Sequence, residues 1–206
     1  MIRFEATIAA LAIGVMISLS SPATAENVLR YTSLSGGAVT MDPHSRWTGL
    51  ERPALQQVYE TLVDIDSNLA IVLQLALDWK PLDPTTWEFE LRPDVTFHDG
   101  TPFTAEDVVF SIERARADTS YVQTSVGNIA VVSAVDDHTV QFKTTAPDPL
   151  LWMRLSNVAI MSEGWARAND VRTPANVDAG EETLPHAMPT APGRSYSKNS
   201  SRTGAG

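Results

Sequence analysis

The sequence predicts an α/β fold, and three features between Trp87 and Arg116 carry that prediction. Trp87-Glu88-Phe89-Glu90-Leu91-Arg92 alternates apolar and charged side chains, the pattern of a strand with one buried and one solvated face. His98-Asp99-Gly100 supplies a turn, because glycine tolerates positive φ and aspartate bonds its own backbone. Thr104 with Asp107 forms a capping-box pattern, with the shorter Asp where Glu or Gln is usual. The helix that follows places Val108, Val109, Ile112 and Ala115 on one face, with Glu113, Arg114 and Arg116 largely turned away.

The remaining elements follow in order. Arg3 and an apolar run from Ala6 to Leu19 precede the small residues Ala23-Thr24-Ala25, so residues 1–25 read as a signal peptide cleaved before Glu26. The run is short for a membrane span of about 20 residues. Val28–Thr32 alternates as a first strand, and Ser35-Gly36-Gly37 ends it. Leu55, Val58, Tyr59 and Leu62 fall at helical spacing. Leu75–Trp79 and Trp87–Leu91 flank the turn-rich Lys80-Pro81-Leu82-Asp83-Pro84-Thr85, predicting a hairpin. A second pair of strands, Ile129–Val135 and Thr139–Thr144, surrounds Asp136-Asp137-His138, with Val140 and Phe142 facing one way and Gln141 and Lys143 the other. Asp148–Met153 reads as a helix start with Pro149 in its first turn. Ala159-Ile160-Met161 reads as a short buried strand, and Glu163–Asn169 as one or two helical turns. From Pro185 the chain becomes rich in Pro, Ser and Gly without apolar periodicity, so residues 185–206 are expected to be disordered.

Composition narrows the chemistry. A net charge of −10 argues against nucleic acid, whose phosphates call for a basic surface. With no cysteine there is no disulfide, thiolate nucleophile, lipid-bearing cysteine or Cys-ligated metal. His44, His138 and His186 are isolated, and no H-E-x-x-H, G-x-S-x-G, P-loop or G-x-G-x-x-G pattern occurs. No catalytic residue, metal ligand or cofactor is expected. His98 and Asp99 are assigned to a turn.

The run from Trp87 through Phe97, Asp99-Gly100, Pro102-Phe103-Thr104-Ala105 and Asp107-Val108 resembles the signature of extracytoplasmic solute-binding proteins of family 5, the receptors of dipeptide, oligopeptide and nickel ABC importers. Met41-Asp42-Pro43 resembles the family's leucine-aspartate-proline loop, with Met41 replacing leucine, and Leu73 stands where proline is usual. The resemblance covers about residues 26–184. It implies an incomplete periplasmic-binding-protein type II lobe, a mixed sheet with flanking helices plus a β-rich extra subdomain. It also implies a periplasmic monomer that does no chemistry, takes a peptide or other small solute, and hands it to an ABC permease and its ATPase subunits. By the same resemblance Trp47, Thr48 and Gly49 touch ligand, as does Tyr121. Codons can be chosen for Met188–Arg202 that, one base out of register, encode Gly-Thr-Gly-Pro-Phe, which resembles a strand start the family has near this point. The tail is therefore expected to be frameshifted, and the chain truncated and impaired in binding. Two other classes compete: an intact small periplasmic binding or scaffold module, and a periplasmic hydrolase.

Overall fold

Two antiparallel hairpins, joined through their inner strands, form the sheet around which the chain packs. The computed structural model describes residues 40–49, 51–181 and 192–193. The expected signal peptide, the strand at Val28–Thr32 and all of the 185–206 segment except Pro192–Gly193 lie outside the described residues.

After a single helical turn, α1 (Arg52–Leu55), the chain forms a small hairpin of β1 (Val63–Ile65) and β2 (Ile71–Leu73). Its tip is held by Asp66, whose Oδ1 accepts from the amides of Asn68 and Ala70, both at 2.8 Å. The tip forces Leu69 to φ 63°, although its side chain is 84% exposed and gains no packing in return. A Cβ is strained in the left-handed region by about 1–2 kcal/mol, partly offset by the entropy a glycine loses on folding. Leu69→Gly is therefore expected to raise stability by about 0.5–1 kcal/mol in urea unfolding, and a loss would refute the strain argument.

The first large hairpin pairs β3 (Ala76–Asp83) with β4 (Thr86–Leu91), and the second pairs β6 (Ile129–Asp136) with β7 (Thr139–Thr144). β4 also pairs with β7, giving the order β3-β4-β7-β6. Only Pro84–Thr85 remains as the first turn, so Lys80–Asp83 belongs to the strand rather than to the longer turn expected. Pro81 is tolerated there because β3 is an edge, where a missing N–H breaks no inner ladder. The alternation holds: Phe89, Leu91, Val132, Val140 and Phe142 are buried on one face. Phe89 and Phe142 meet edge to face at 5.3 Å. Across the other face Glu88 accepts from Lys80 Nζ at 2.9 Å and Gln141 Nε2 at 2.8 Å.

Between the hairpins lie β5 (Thr96–Phe97), the turn with Gly100 at φ +85°, and α2 (Ala105–Ala115). The two-residue β8 (Pro192–Gly193) pairs antiparallel with β5. In the capping box the Asp107 carboxylate accepts from Thr104 N at 2.9 Å. Val108, Ile112 and Ala115 are fully buried beneath the sheet. Three further short helices follow: α3 (Gln123–Val126), α4 (Leu151–Leu155) and α5 (Glu163–Ala168).

Four local expectations are corrected. The helix through Leu55–Leu62 stops at Leu55; Tyr59 and Leu62 are buried from non-helical backbone, which mimics helical spacing. Pro149 precedes α4, whose N-cap is Leu150; Asp148 Oδ1 accepts from Leu150 N at 3.1 Å and turns the chain there. Ala159–Met161 is buried but forms no strand, because Ile160 N bonds Glu60 O and Met161 N bonds the Ser111 hydroxyl. Arg114 does not face solvent: it is 3% exposed.

Candidate functional site

Asp107, Ser111 and Arg114 sit at i, i+4 and i+7 on α2, a polar stripe along one line of the helix. All three are buried, and each binds a segment distant in sequence. Asp107 Oδ1 accepts from Glu163 N at 2.9 Å, and Ser111 Oγ accepts from Met161 N at 2.9 Å. Burial pushes the Asp107 carboxyl above its usual value against the hydrogen bonds from Glu163 N and Thr104. Arg114 reaches the loop of residues 40–49, donating to Asp42 Oδ1 at 2.8 Å and Oδ2 at 2.5 Å, a bidentate pair. Its Nε also donates to Val171 O at 3.1 Å and its Nη2 to Thr173 O at 3.2 Å.

Asp42 organises the loop from its own end. Its Oδ1 accepts from His44 N at 2.9 Å and Ser45 N at 3.3 Å. Burial alone would raise its pKa, but the Arg114 hydrogen bond and charge outweigh burial and hold the carboxyl below its usual value. His44 is fully buried and its Nε2 lies 2.9 Å from Ala159 O, which makes Nε2 the protonated nitrogen of the neutral ring. Burial, reinforced by the Arg114 charge, pushes its pKa down to about 4. Tyr59 closes the loop from beneath, donating its hydroxyl to Met41 O at 3.0 Å.

This anchored loop carries the residues expected to meet ligand. Trp47 is buried, with the Arg52 guanidinium 5.7 Å from its ring centre. Thr48 is part-buried; its hydroxyl donates to Glu51, while its carbonyl accepts from Arg52 N at 2.8 Å. Gly49 is exposed, and a Cβ there would meet nothing within 4 Å. Tyr121 is 56% exposed, and its amide donates to His44 O at 2.8 Å, so the backbone of the fourth residue is tied to the same loop. Among the described residues His44 Nδ1, Ser45 Oγ and Trp47 Nε1 are buried without a hydrogen-bond partner. Buried polar groups are normally paired, and three of the six unpaired buried side-chain atoms among the described residues fall within residues 44–47; the others are Trp87 Nε1, Asn128 Oδ1 and His138 Nδ1.

Sequence reading missed Asp42 and Arg114 as a pair, and His44 as a buried anchor. The available signal was the stripe Asp107, Ser111, Arg114: polar residues recurring at helical spacing next to an apolar face. His98 is exposed, and Asp99 accepts from Thr101 N at 2.9 Å within its turn. No group of three or more His, Cys, Asp or Glu gathers as a metal site among the described residues.

The α/β scaffold thus ties the loop at residues 40–49 to α2 and to Ala159 through Arg114 and His44. The chain belongs to the bacterial extracellular solute-binding proteins, family 5, whose middle-region model matches residues 70–189, more than half the chain. It is 32% identical over 157 residues to the peptide transport periplasmic protein SapA of Salmonella typhimurium, covering 65% of this chain and 29% of the relative. It is 30% identical over 137 residues to the periplasmic oligopeptide-binding protein OppA of Escherichia coli, covering 56% and 25%. In three dimensions it resembles the solute-binding protein MoaA of A. tumefacien R10, solved with mannopinic acid (TM-score 0.58, 32% identity, 63% of this chain and 28% of the other). The fold also matches the Escherichia coli murein tripeptide binding protein MppA (TM-score 0.60, 24% identity, 64% and 30%). The chain thus spans less than a third of the length of these relatives.

Proposed function

We propose that this chain forms part of the ligand-receiving lobe of a periplasmic substrate-binding protein that serves a peptide-type ABC importer. Residues 1–25 direct its export, and the bound di- or oligopeptide passes to a membrane permease driven by its ATPase subunits. Trp47, Thr48, Gly49 and Tyr121 face the solute. The observation that carries this reading is the anchored loop with its three orphaned polar atoms. A Trp47 N–H without an acceptor suits a peptide carbonyl or carboxylate, and an extended peptide can pair with backbone along such a loop.

Acting alone, the 206-residue polypeptide binds weakly. Receptors of this kind gain affinity by closing two lobes on the ligand, excluding water from its polar contacts. These 206 residues correspond to under a third of the relatives' length, so by themselves they supply one wall of such a site. Titration with mixed di- and tripeptides, followed by the indole resonances of the five tryptophans, tests both statements. The Trp47 indole N–H is expected to shift selectively, without saturation at micromolar peptide. Saturation at micromolar peptide would refute the weak binding, and an unmoved Trp47 signal at every concentration would refute the site. We further propose that residues 185–206 are frameshifted, which reading the gene past Leu184 in all three frames decides directly.

A further inference from the structure

The solvated face of the four-stranded sheet carries two rows of cross-strand neighbours that differ in how their charge is met. In one row Lys80, Glu88, Gln141 and Ser133 stand side by side, and Glu88 is satisfied within it by Lys80 and Gln141. The next row is Asp78, Glu90, Thr139 and Asp136, with three carboxylates and no cation. Asp78 lies directly opposite Glu90, a like-charge pairing that works against the sheet. These three and the adjoining Asp137 are exposed, and none of them forms an ion pair among the described residues. A groove of about 530 Å³ lies over the row, and its lining includes His138, whose Nδ1 is buried without a hydrogen-bond partner.

The chain itself holds a segment of opposite charge. From Thr183 to Gly206 there is no Asp or Glu, and Arg194, Lys198 and Arg202 recur at every fourth residue. Extended, such a segment turns all three cations to one side, because side chains repeat with a period of two. Consecutive cations are then about 13 Å apart, close to the roughly 14 Å that separates β3 from β6 across three strand spacings. The point of departure also fits. Gly193 pairs with Thr96 and Pro192 with Phe97, so the chain beyond Gly193 runs antiparallel to β5, back toward Val95 and Leu91 and away from the Asp99 turn. Leu91 N donates to His138 O at 2.8 Å, which puts the groove beside that path. Thr96 to Leu91 is no more than about 17 Å of chain, whereas the thirteen residues 194–206 extend to about 43 Å.

We propose that residues 194–206 dock on the solvated face of this sheet, their cations answering the unpaired carboxylates of Asp78, Glu90, Asp136 and Asp137. Each exposed pair is weak on its own. A tether this short, however, holds the segment at a roughly millimolar effective concentration, so a few such contacts suffice. The docking is independent of any role for the loop at residues 40–49 and of the reading frame that produced residues 194–206.

A nitroxide spin label tests this on the full 206-residue chain, which has no native cysteine to compete for it. Placed through Ser200→Cys, it is expected to broaden the amide resonances of Asp78, Glu90 and Asp137. Raising salt from about 0.01 M to about 1 M shortens the screening length from roughly 30 Å to 3 Å and should abolish the broadening. Glu90→Gln with Asp137→Asn, both at exposed positions, is expected to reduce it roughly threefold or more, while Glu106→Gln in a neighbouring groove leaves it unchanged. In a mixture of spin-labelled chain with isotope-labelled chain lacking the nitroxide, the isotope-labelled resonances should stay sharp. Broadening that is absent at low salt, indifferent to salt or to the double variant, or carried over to the second chain in the mixture would each overturn the proposal.

Discussion

Replacing Arg114 by methionine is expected to lower the free energy of unfolding by about 3–5 kcal/mol, the usual cost of removing one partner of a buried ion pair. Asp42 and Arg114 have side chains only 2% and 0% exposed, so solvent cannot reach the abandoned carboxylate. The guanidinium also serves the carbonyls of Val171 and Thr173, and both acceptors would lose it together. Such a loss is a large part of the total stability of a domain this size. Urea unfolding at pH 7 measures it, and a change below about 1 kcal/mol would show that the pair is effectively solvated. Asp42→Leu combined with Arg114→Met removes both charges and is expected to recover part of the loss, because the penalty comes from the charge left unpaired.

Acidification from pH 7 to pH 4 is expected to remove on the order of 3 kcal/mol through His44 alone. Its folded pKa of about 4 lies below the ordinary histidine value of 6.5. Between those two values the unfolded chain binds the extra proton and the folded chain does not, so stability falls as pH falls through that window. The structural cause is plain: a proton on Nδ1 would find no acceptor and would add a positive charge near Arg114. Asp42, held low by Arg114, adds a loss of the same sign at lower pH, whereas Asp107, held high by burial, acts in the opposite direction. His44→Gln retains a side-chain N–H for Ala159 O without a group that titrates in this window. Its urea midpoint should therefore be nearly flat from pH 7 to pH 5, and a curve parallel to that of the unaltered chain would exclude His44 as the sensor.

Both predictions concern one assembly, the loop at residues 40–49 anchored to α2. Loss of either Arg114 or neutral His44 frees the backbone that positions Trp47 and, through His44 O, Tyr121. Stability and any ligand binding by this loop should therefore change together.

Much of the sheet was legible because its signals are local. Alternation assigned both faces of β4 and β7, the Asp99-Gly100 turn rests on glycine's positive φ, and Thr104 with Asp107 marked the start of α2. The resemblance identified the family from the same stretch. The candidate site was only half legible. Trp47, Thr48 and Gly49 lie together in one segment, but their anchor depends on Arg114, 72 residues from Asp42. Arg114 reads as a surface residue when only its charge is weighed. The burial of Ala159–Met161 was legible and its backbone pairing was not, since Glu60 O and Ser111 Oγ stand in for a neighbouring strand.

By itself, then, the sequence determined the hairpins, the capped helix, the acidic character of the chain and its family, because each is written in spacings of two to four residues or in composition. Only the tertiary structure decided that Asp107, Ser111 and Arg114 point inward, that His44 is neutral, and that Tyr121 joins the loop at residues 40–49. Those outcomes turn on which distant groups share a low-dielectric interior, where a charge survives only beside its partner.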